Sequence, residues 1–287
     1  MSRGLLRAAV ARREEFTARY GAVVAPTLAT RLAGYILPAI LLALLIGGMW
    51  RVGFEPVRLW EGLAKLGFIF SFMIPPDPGN LLWTFVHALG ETVAIAFLGT
   101  LLGAIVALPI GVLAARNVVP NWIFHFTWRR GLDTLRGVDT LIWALIFINV
   151  VGLGPFAGIL AIMVSDIGSF GKLFSEAIEA SDKKPVEGIR ASGGNELHTL
   201  WYGILPQVFP VIISQVLYYF ESNTRSATII GIVGAGGIGL HLADQIRLNE
   251  WQTVAFLVLM ILATVAVIDF VSTRLRFALI GTRRMLG

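Results

Sequence analysis

The sequence predicts an all-α integral membrane protein that crosses the bilayer six times. Three observations lead there: an apolar composition, charge-free runs of spanning length, and a lopsided distribution of lysine and arginine. Of the 287 residues, 56% are hydrophobic and 14% charged, and the mean hydropathy is +0.77. A soluble domain carries about a quarter charged residues. Surface-to-volume scaling would leave this chain too few polar side chains to coat a water-facing surface. An ordinary soluble enzyme and a disordered chain are both excluded.

The spans follow in order from a requirement of about 20 mostly apolar residues per crossing. Residues 32–50 form a charge-free run between Arg31 and Arg51, and 92–115 form a second. Residues 140–165 form a third, broken by Gly152-Leu153-Gly154-Pro155, a turn signal that divides it into spans near 138–151 and 155–174. Residues 208–233 are mostly apolar but hold Glu221 and Arg225, and 251–268 are the last clean run. With six spans and both termini inside, 18 lysines and arginines lie on the inner side against 5 outside. Taking 140–165 as one helix gives five spans and a split of 12 to 11, which is no bias. The positive-inside rule therefore selects six.

The flanking segments fall into place on that frame. Residues 1–31 read as a basic cytoplasmic segment and 32–50 as a retained first helix, too long for a signal-peptide core. Residues 51–87 read as an outer loop whose apolar patch, 68–76, is an interfacial helix or packed loop, too short to span. Residues 88–271 carry the remaining five spans, and 272–287 form a cytoplasmic tail. The net charge of +5 reads as basic inner loops, with no nucleic-acid partner. There is no cysteine, hence no disulfide or thiolate site, and the four histidines lack zinc-binding spacing. No metal site is expected.

Two glycine motifs suggest nucleotides and are set aside. Gly234-Ala235-Gly236-Gly237-Ile238-Gly239 matches G-x-G-x-x-G, but that fingerprint functions only within a βαβ unit. Here it lies between two spans on the outer side, where a tight packing break or re-entrant turn is the expectation. Gly171-Lys172 is followed by Leu173 and lacks the upstream glycine of a phosphate loop. No nucleotide cofactor is expected on this chain, so energy from ATP has to enter through a partner.

The inner loop between the fourth and fifth spans reads VEGIRASGGNELHTLWYGILPQVFP over 186–210. Ser181 and Asp182 are placed to cap a short helix, Pro185 suits its first turn, and Glu187 sits where the helix dipole favours an acid. Gly193-Gly194 ends it, Asn195 caps a second short helix, and Pro206 and Pro210 open the next span. On the residues alone this is equally a plain amphipathic connector.

The loop resembles the signature of ABC-importer permeases, E-A-A-x-x-x-G-x9-I-x-L-P. Glu187, Gly193 and Leu205-Pro206 fall on its Glu, Gly and Leu-Pro with the spacing intact. Gly188 and Ile189 stand where the two alanines belong, and Gly203 stands for the isoleucine. The resemblance implies a type I importer (MetI-like) permease core over 88–271, with 181–206 as the coupling loop that docks on a cytoplasmic ATPase. Within the family, the chain resembles permeases of phosphonate importers, whose relatives carry phosphite or phosphate. ALIFINVVGLGPFAGILA at 144–161 and ESNTRSATIIGIVGAGGIG at 221–239 carry that resemblance. It implies a bacterial inner-membrane transport subunit, not an enzyme. The implied assembly is a homodimer with an ATPase dimer that holds ATP and magnesium, supplied by a periplasmic binding protein.

Charges inside spans are costly and often functional. Glu221 and Arg225 lie four apart, in the favourable order for a helical ion pair. Two readings stay open: a structural pair, or a path for an anionic substrate lined by Arg225 with Ser222, Asn223 and Glu221. Asp166 in the fourth span and Glu91 at the head of the second are weaker candidates for the path. Asp269 is expected to meet Arg274 or the interface. The rival functional class is a membrane enzyme acting on lipid or polyprenyl phosphate, for which the expected cluster of acids or histidines is missing. Secondary transport is disfavoured because no clear inverted repeat appears.

Overall fold

The computed structural model describes residues 28–119 and 121–281, together with Arg12. The basic segment before residue 28 and the last six residues, on which the expected cytoplasmic termini fall, lie outside the described residues. The chain divides into two compact units, 1–67 and 68–287.

In the first unit, α1 spans Leu28–Arg51 and α2 starts at Pro56, running to Phe72 across the boundary. The side chains of α1 from Gly34 on are exposed, among them Tyr35, Leu37, Leu41 and Leu44. A helix this apolar and this exposed belongs in lipid, the one solvent in which its surface carries no hydrophobic penalty. The patch expected near 68–76 begins as helix, with the last turn of α2 closed by the edge-to-face pair Phe68–Phe72.

The second unit is a helical bundle. A 3₁₀ turn, Gly79–Leu81, leads into α3, Leu82–Ala114. Then come α4, Trp122–Gly137; α5, Thr140–Val151; α6, Pro155–Glu179; and α7, Lys183–Ala191. A short turn, Glu196–His198, and a π turn, Thr199–Ile204, feed α8, Leu205–Ile232. Finally α9 covers Ile238–Arg247 and α10 covers Trp251–Gly281. Among the described residues five helical stretches are long and apolar enough to cross a membrane, and the bent pair α4–α5 brings the number to six.

The third crossing differs from the simple span at 138–151. Helix α5 has 12 residues, about 18 Å at 1.5 Å per residue, and cannot cross a ~30 Å hydrocarbon core alone. It is bent 85° from α4, which supplies the rest obliquely. Asp139, in extended conformation, makes the corner and caps α5 by accepting from the Leu141 amide. The turn at 152–154 is present, with Gly152 and Gly154 at φ +91° and +132°, so the single-helix reading of 140–165 is ruled out. Helix α10 runs beyond the expected boundary at Val271. Nothing in 272–280 breaks a helix, and Ser272 is buried.

The bundle is organised around α3 and α6. Gly99, Gly103 and Gly111 line one face of α3, and a Cβ on them would lie 2.7–2.8 Å from Ile162, Asp166 and Phe174 of α6. With Ala96 and Ala107 fully buried on the same stripe, α3 meets α6 through a face of small residues. Lipid offers no hydrophobic drive for helices to associate, so close van der Waals contact of this kind holds the pair together. Gly103→Leu should separate α3 from α6 and destabilise the bundle by several kcal/mol, beyond the 1–3 kcal/mol of ordinary overpacking, because backbone as well as Asp166 stands in the way. Thermal unfolding of the detergent-solubilised protein checks it; an unchanged midpoint would mean the helices are not locked at this stripe.

Candidate functional site

Three features concentrate the unusual chemistry: a pair of glycine turns, a buried polar cluster, and the loop at the opposite end of the bundle.

The glycine turns meet. The Gly154 amide donates to the Gly234 carbonyl at 3.0 Å, and the Ile238 amide donates to Thr92 Oγ1 at 2.8 Å. Gly236 and Gly237, at φ +83° and +74°, press against Glu91, Pro155 and Thr92 with no room for a side chain. The G-x-G-x-x-G stretch is therefore a tightly packed turn between α8 and α9. Thr92 lies ten residues into α3, so the turn sits about 15 Å along that helix from its start. Helix α9 climbs back over that distance before α10 descends.

The polar cluster lies deeper. Asn223 Nδ2 donates to Asp166 Oδ2 at 2.6 Å and to Thr100 Oγ1 at 2.8 Å, joining α8, α6 and α3. All three side chains are buried. Beside them Glu221 accepts from two arginines: Arg225 Nη2 on Oε1 at 3.1 Å and Arg276 Nη2 on Oε2 at 3.2 Å. Glu221 is 10% exposed at its side chain and Arg276 22%, whereas Arg225 is 50% exposed. Of the candidates, Asp166 and Asn223 are thus brought together inside the bundle, Glu221 and Arg225 form the anticipated pair, and Ser222 lies half-buried beside them. Glu91 stands apart at the glycine turn, where its carboxylate abuts Gly236. Asp269 accepts from Thr273 and does not meet Arg274, whose guanidinium lies over Phe270.

Two partners escaped the sequence reading. Thr100 has no charge to draw notice, and Arg276 was counted with the basic tail. An uninterrupted helical pattern through 272–280 was the available signal that Arg276 continues the bundle. Among the described residues no group of three histidines and acids is placed to hold a metal.

At the far end, α7 is capped by Asp182, which accepts from the Lys184 amide. Ser181, the other expected cap, donates to Ile178 O instead. Gly193, at φ +84°, ends the helix, and the Gly194 amide closes back on Ile189 O at 2.9 Å. Asn195 caps the following turn through the His198 amide. Gln207 clasps the base of the loop, accepting from the Asp182 amide and donating to its carbonyl and to Gly203 O. Glu187 and Gly188 are exposed on α7, Ile189 is half-buried, and Leu205 and Pro206 start α8.

Two of the three departures from the signature, at 189 and 203, fit one another. A Cβ at Gly188 would meet nothing, so glycine there relieves no crowding. A Cβ at Gly203 would meet Ile189 Cδ1 at 3.2 Å and Val186 at 3.4 Å, so isoleucine at 189 and glycine at 203 exchange bulk across one contact. Gly203→Ile alone should loosen α7 by about 1–3 kcal/mol, and adding Ile189→Ala should restore most of it. A double-mutant cycle on thermal stability measures the coupling. A coupling near zero would mean that the two positions vary independently.

Residues 107–281 match the family described as the binding-protein-dependent transport system inner membrane component. The chain belongs to that family. It is 36% identical over 240 residues to the phosphite transport system permease protein PtxC of Stutzerimonas stutzeri, covering 83% of this chain and 86% of the relative. It is 34% identical over 250 residues to the phosphate-import permease protein PhnE of Mycolicibacterium smegmatis, covering 87% of this chain and 47% of that one. A chain of the MetNI methionine ABC transporter in inward-facing conformations shares the fold, with a TM-score of 0.63 at 20% identity over 71% of this chain and 99% of the other. The molecule is a multi-pass inner-membrane permease subunit of an ABC importer, a transport component and not an enzyme. Its family works with an ATPase and a binding protein, and the membrane-enzyme reading is set aside.

Proposed function

We propose that this permease imports small phosphorus oxyanions, phosphonates or phosphite and phosphate esters, as a homodimer. A periplasmic binding protein delivers the cargo, and two ATPase copies, holding ATP and magnesium, dock on loop 181–206 through Glu187, Gly188, Ile189 and Gly193. Loop 181–206 and both termini face the cytoplasm, as the basic-residue count requires.

One observation carries the reading. Arg225 is half-exposed on a face of α8 that otherwise presents Val211, Tyr218, Ile229 and Ile232. It lies seven residues, about 10 Å, from the end of α8 at the glycine turn, well below either interface. A guanidinium facing lipid at such depth costs at least ~2.5–3.5 kcal/mol. The face is therefore covered by a second copy, lines a water-filled path, or both. A guanidinium fork on that path suits a tetrahedral oxyanion, and lysine does not replace it. Similarity to phosphite and phosphate permeases supplies the class of cargo. ATP closure of the ATPases moves the path only through contacts on the loop that differ between the two gate states.

The double change Glu221→Gln with Arg225→Gln leaves the net charge of the Arg225–Glu221–Arg276 group unaltered. It should nevertheless lower phosphite uptake about tenfold or more, the value of a charge-assisted contact, with the complex still assembled. Restored uptake in the double mutant, where the single changes fail, would reduce Arg225 to a structural partner. Gly193→Asp should place a side chain on a left-handed residue at a cost of roughly 1–3 kcal/mol and uncouple ATP turnover from the binding protein. Normal stimulation in that variant would make the loop a mere connector. Reporter fusions after Gly287 and within residues 52–83 should report opposite sides; the same side for both would remove the six-span orientation.

A further inference from the structure

Arg276 commits one of its three nitrogens to the protein. Nη2 donates to Glu221 Oε2 at 3.2 Å and to Thr273 Oγ1 at 3.0 Å, while Nε and Nη1 have no hydrogen-bond partner among the described residues. The guanidinium lies over the Tyr218 ring, 5.7 Å from its centroid. It forms part of the wall of a cavity of about 580 Å³ between α6, α8 and α10, with Ser214, Gln215, Tyr218 and Tyr219 on the same wall. The Arg276 side chain is 22% exposed, so its two free donors are open to an occupant of the cavity.

The charges point the same way. Arg225, Glu221 and Arg276 together carry one positive charge more than they neutralise, and that surplus favours an anion in the cavity. An occupant that satisfies the wall needs acceptor oxygens for Arg276. A phosphorus oxyanion supplies them. Tyr218 lies seven residues, or about 10 Å, from Arg225 along α8 toward loop 181–206.

Building on the oxyanion-import reading, we infer that the Arg276 cavity is a second, transient oxyanion site, one step beyond Arg225 on the way to the loop end. Glu221 sets its strength. It competes with the cargo for both guanidiniums, and reclaims them when the cargo leaves. Conduction demands binding firm enough to admit the ion and weak enough to release it, and a carboxylate shared between two arginines supplies that balance. Removing Glu221 then tightens binding and slows release, the opposite of what loss of a purely structural partner would do.

The chain has no cysteine, so Ser214→Cys introduces a single thiol at the cavity wall. The permease–ATPase complex carrying it, in lipid nanodiscs, is labelled with an anionic methanethiosulfonate. Phosphite or methylphosphonate at twice its dissociation constant should slow labelling about threefold. Arg276→Gln should abolish that protection while the complex still co-purifies with its ATPase, since Glu221 keeps Arg225. Glu221→Gln should extend protection to lower phosphite concentrations and slow uptake. A thiol that never reacts, or protection indifferent to Arg276→Gln, overturns the site. Normal phosphite uptake without protection removes this site and leaves the import reading standing. Protection by sulfate alone, with no phosphite uptake, overturns the phosphorus assignment and the import reading together.

Discussion

Between Gly99 and Gly111 the backbones of α3 and α6 approach so closely that a side chain on the α3 face would collide with its neighbour. Without a hydrophobic drive in lipid, only such surface-to-surface contact makes one arrangement better than its alternatives. The polar chemistry depends on it. Asp166 faces Gly103 across the seam, and Thr100 lies one turn away. Only at this separation can a single amide on α8, Asn223, reach both. The seam also seats the glycine turns, since Gly158, near the top of α6, lies against Ala235 and Ile95. A few missing methyl groups thereby fix where three helices place their hydrogen bonds.

Charge is distributed according to what each depth tolerates. At the loop end, Arg129–Glu179 and Lys172–Asp133 join α4 to α6 at 2.8 and 2.9 Å and hold the oblique helix in place. The exposed pair Arg190–Glu196 braces the loop, contributing geometry more than energy, as exposed pairs do. Deeper, the arginines converge on one carboxylate. Truncating one partner of such a group is far more damaging than replacing it whole, which is why multiple changes, and not single ones, separate structure from transport.

The sequence made the overall plan legible where a local rule was strong. The Gly152-Leu153-Gly154-Pro155 break divided an apolar run correctly because glycine and proline fix backbone conformation whatever surrounds them. The caps at Asp182 and Asn195 and the stop at Gly193 were legible for the same reason. The 85° corner between α4 and α5 was not, because a crossing shared by two helices leaves each segment short of the length rule. Arg276 was missed because the charge-counting rule assigns basic residues near a span end to water, and its partner lies 55 residues away. Thr100 gave no signal at all: its role arises only from the distance between two backbones.

The turn at Gly234–Gly237 has an electrical meaning. Helix α3 carries on for about 15 Å beyond the level of the turn, and α9 and α10 pack against it there. Arg225 lies about 10 Å further in, along α8. The transmembrane voltage, worth about 2.3 kcal/mol per unit charge at 100 mV, therefore acts on the guanidinium and on any anion it holds. For an anion moving toward a negative interior, the guanidinium offsets part of the opposing field where it stands.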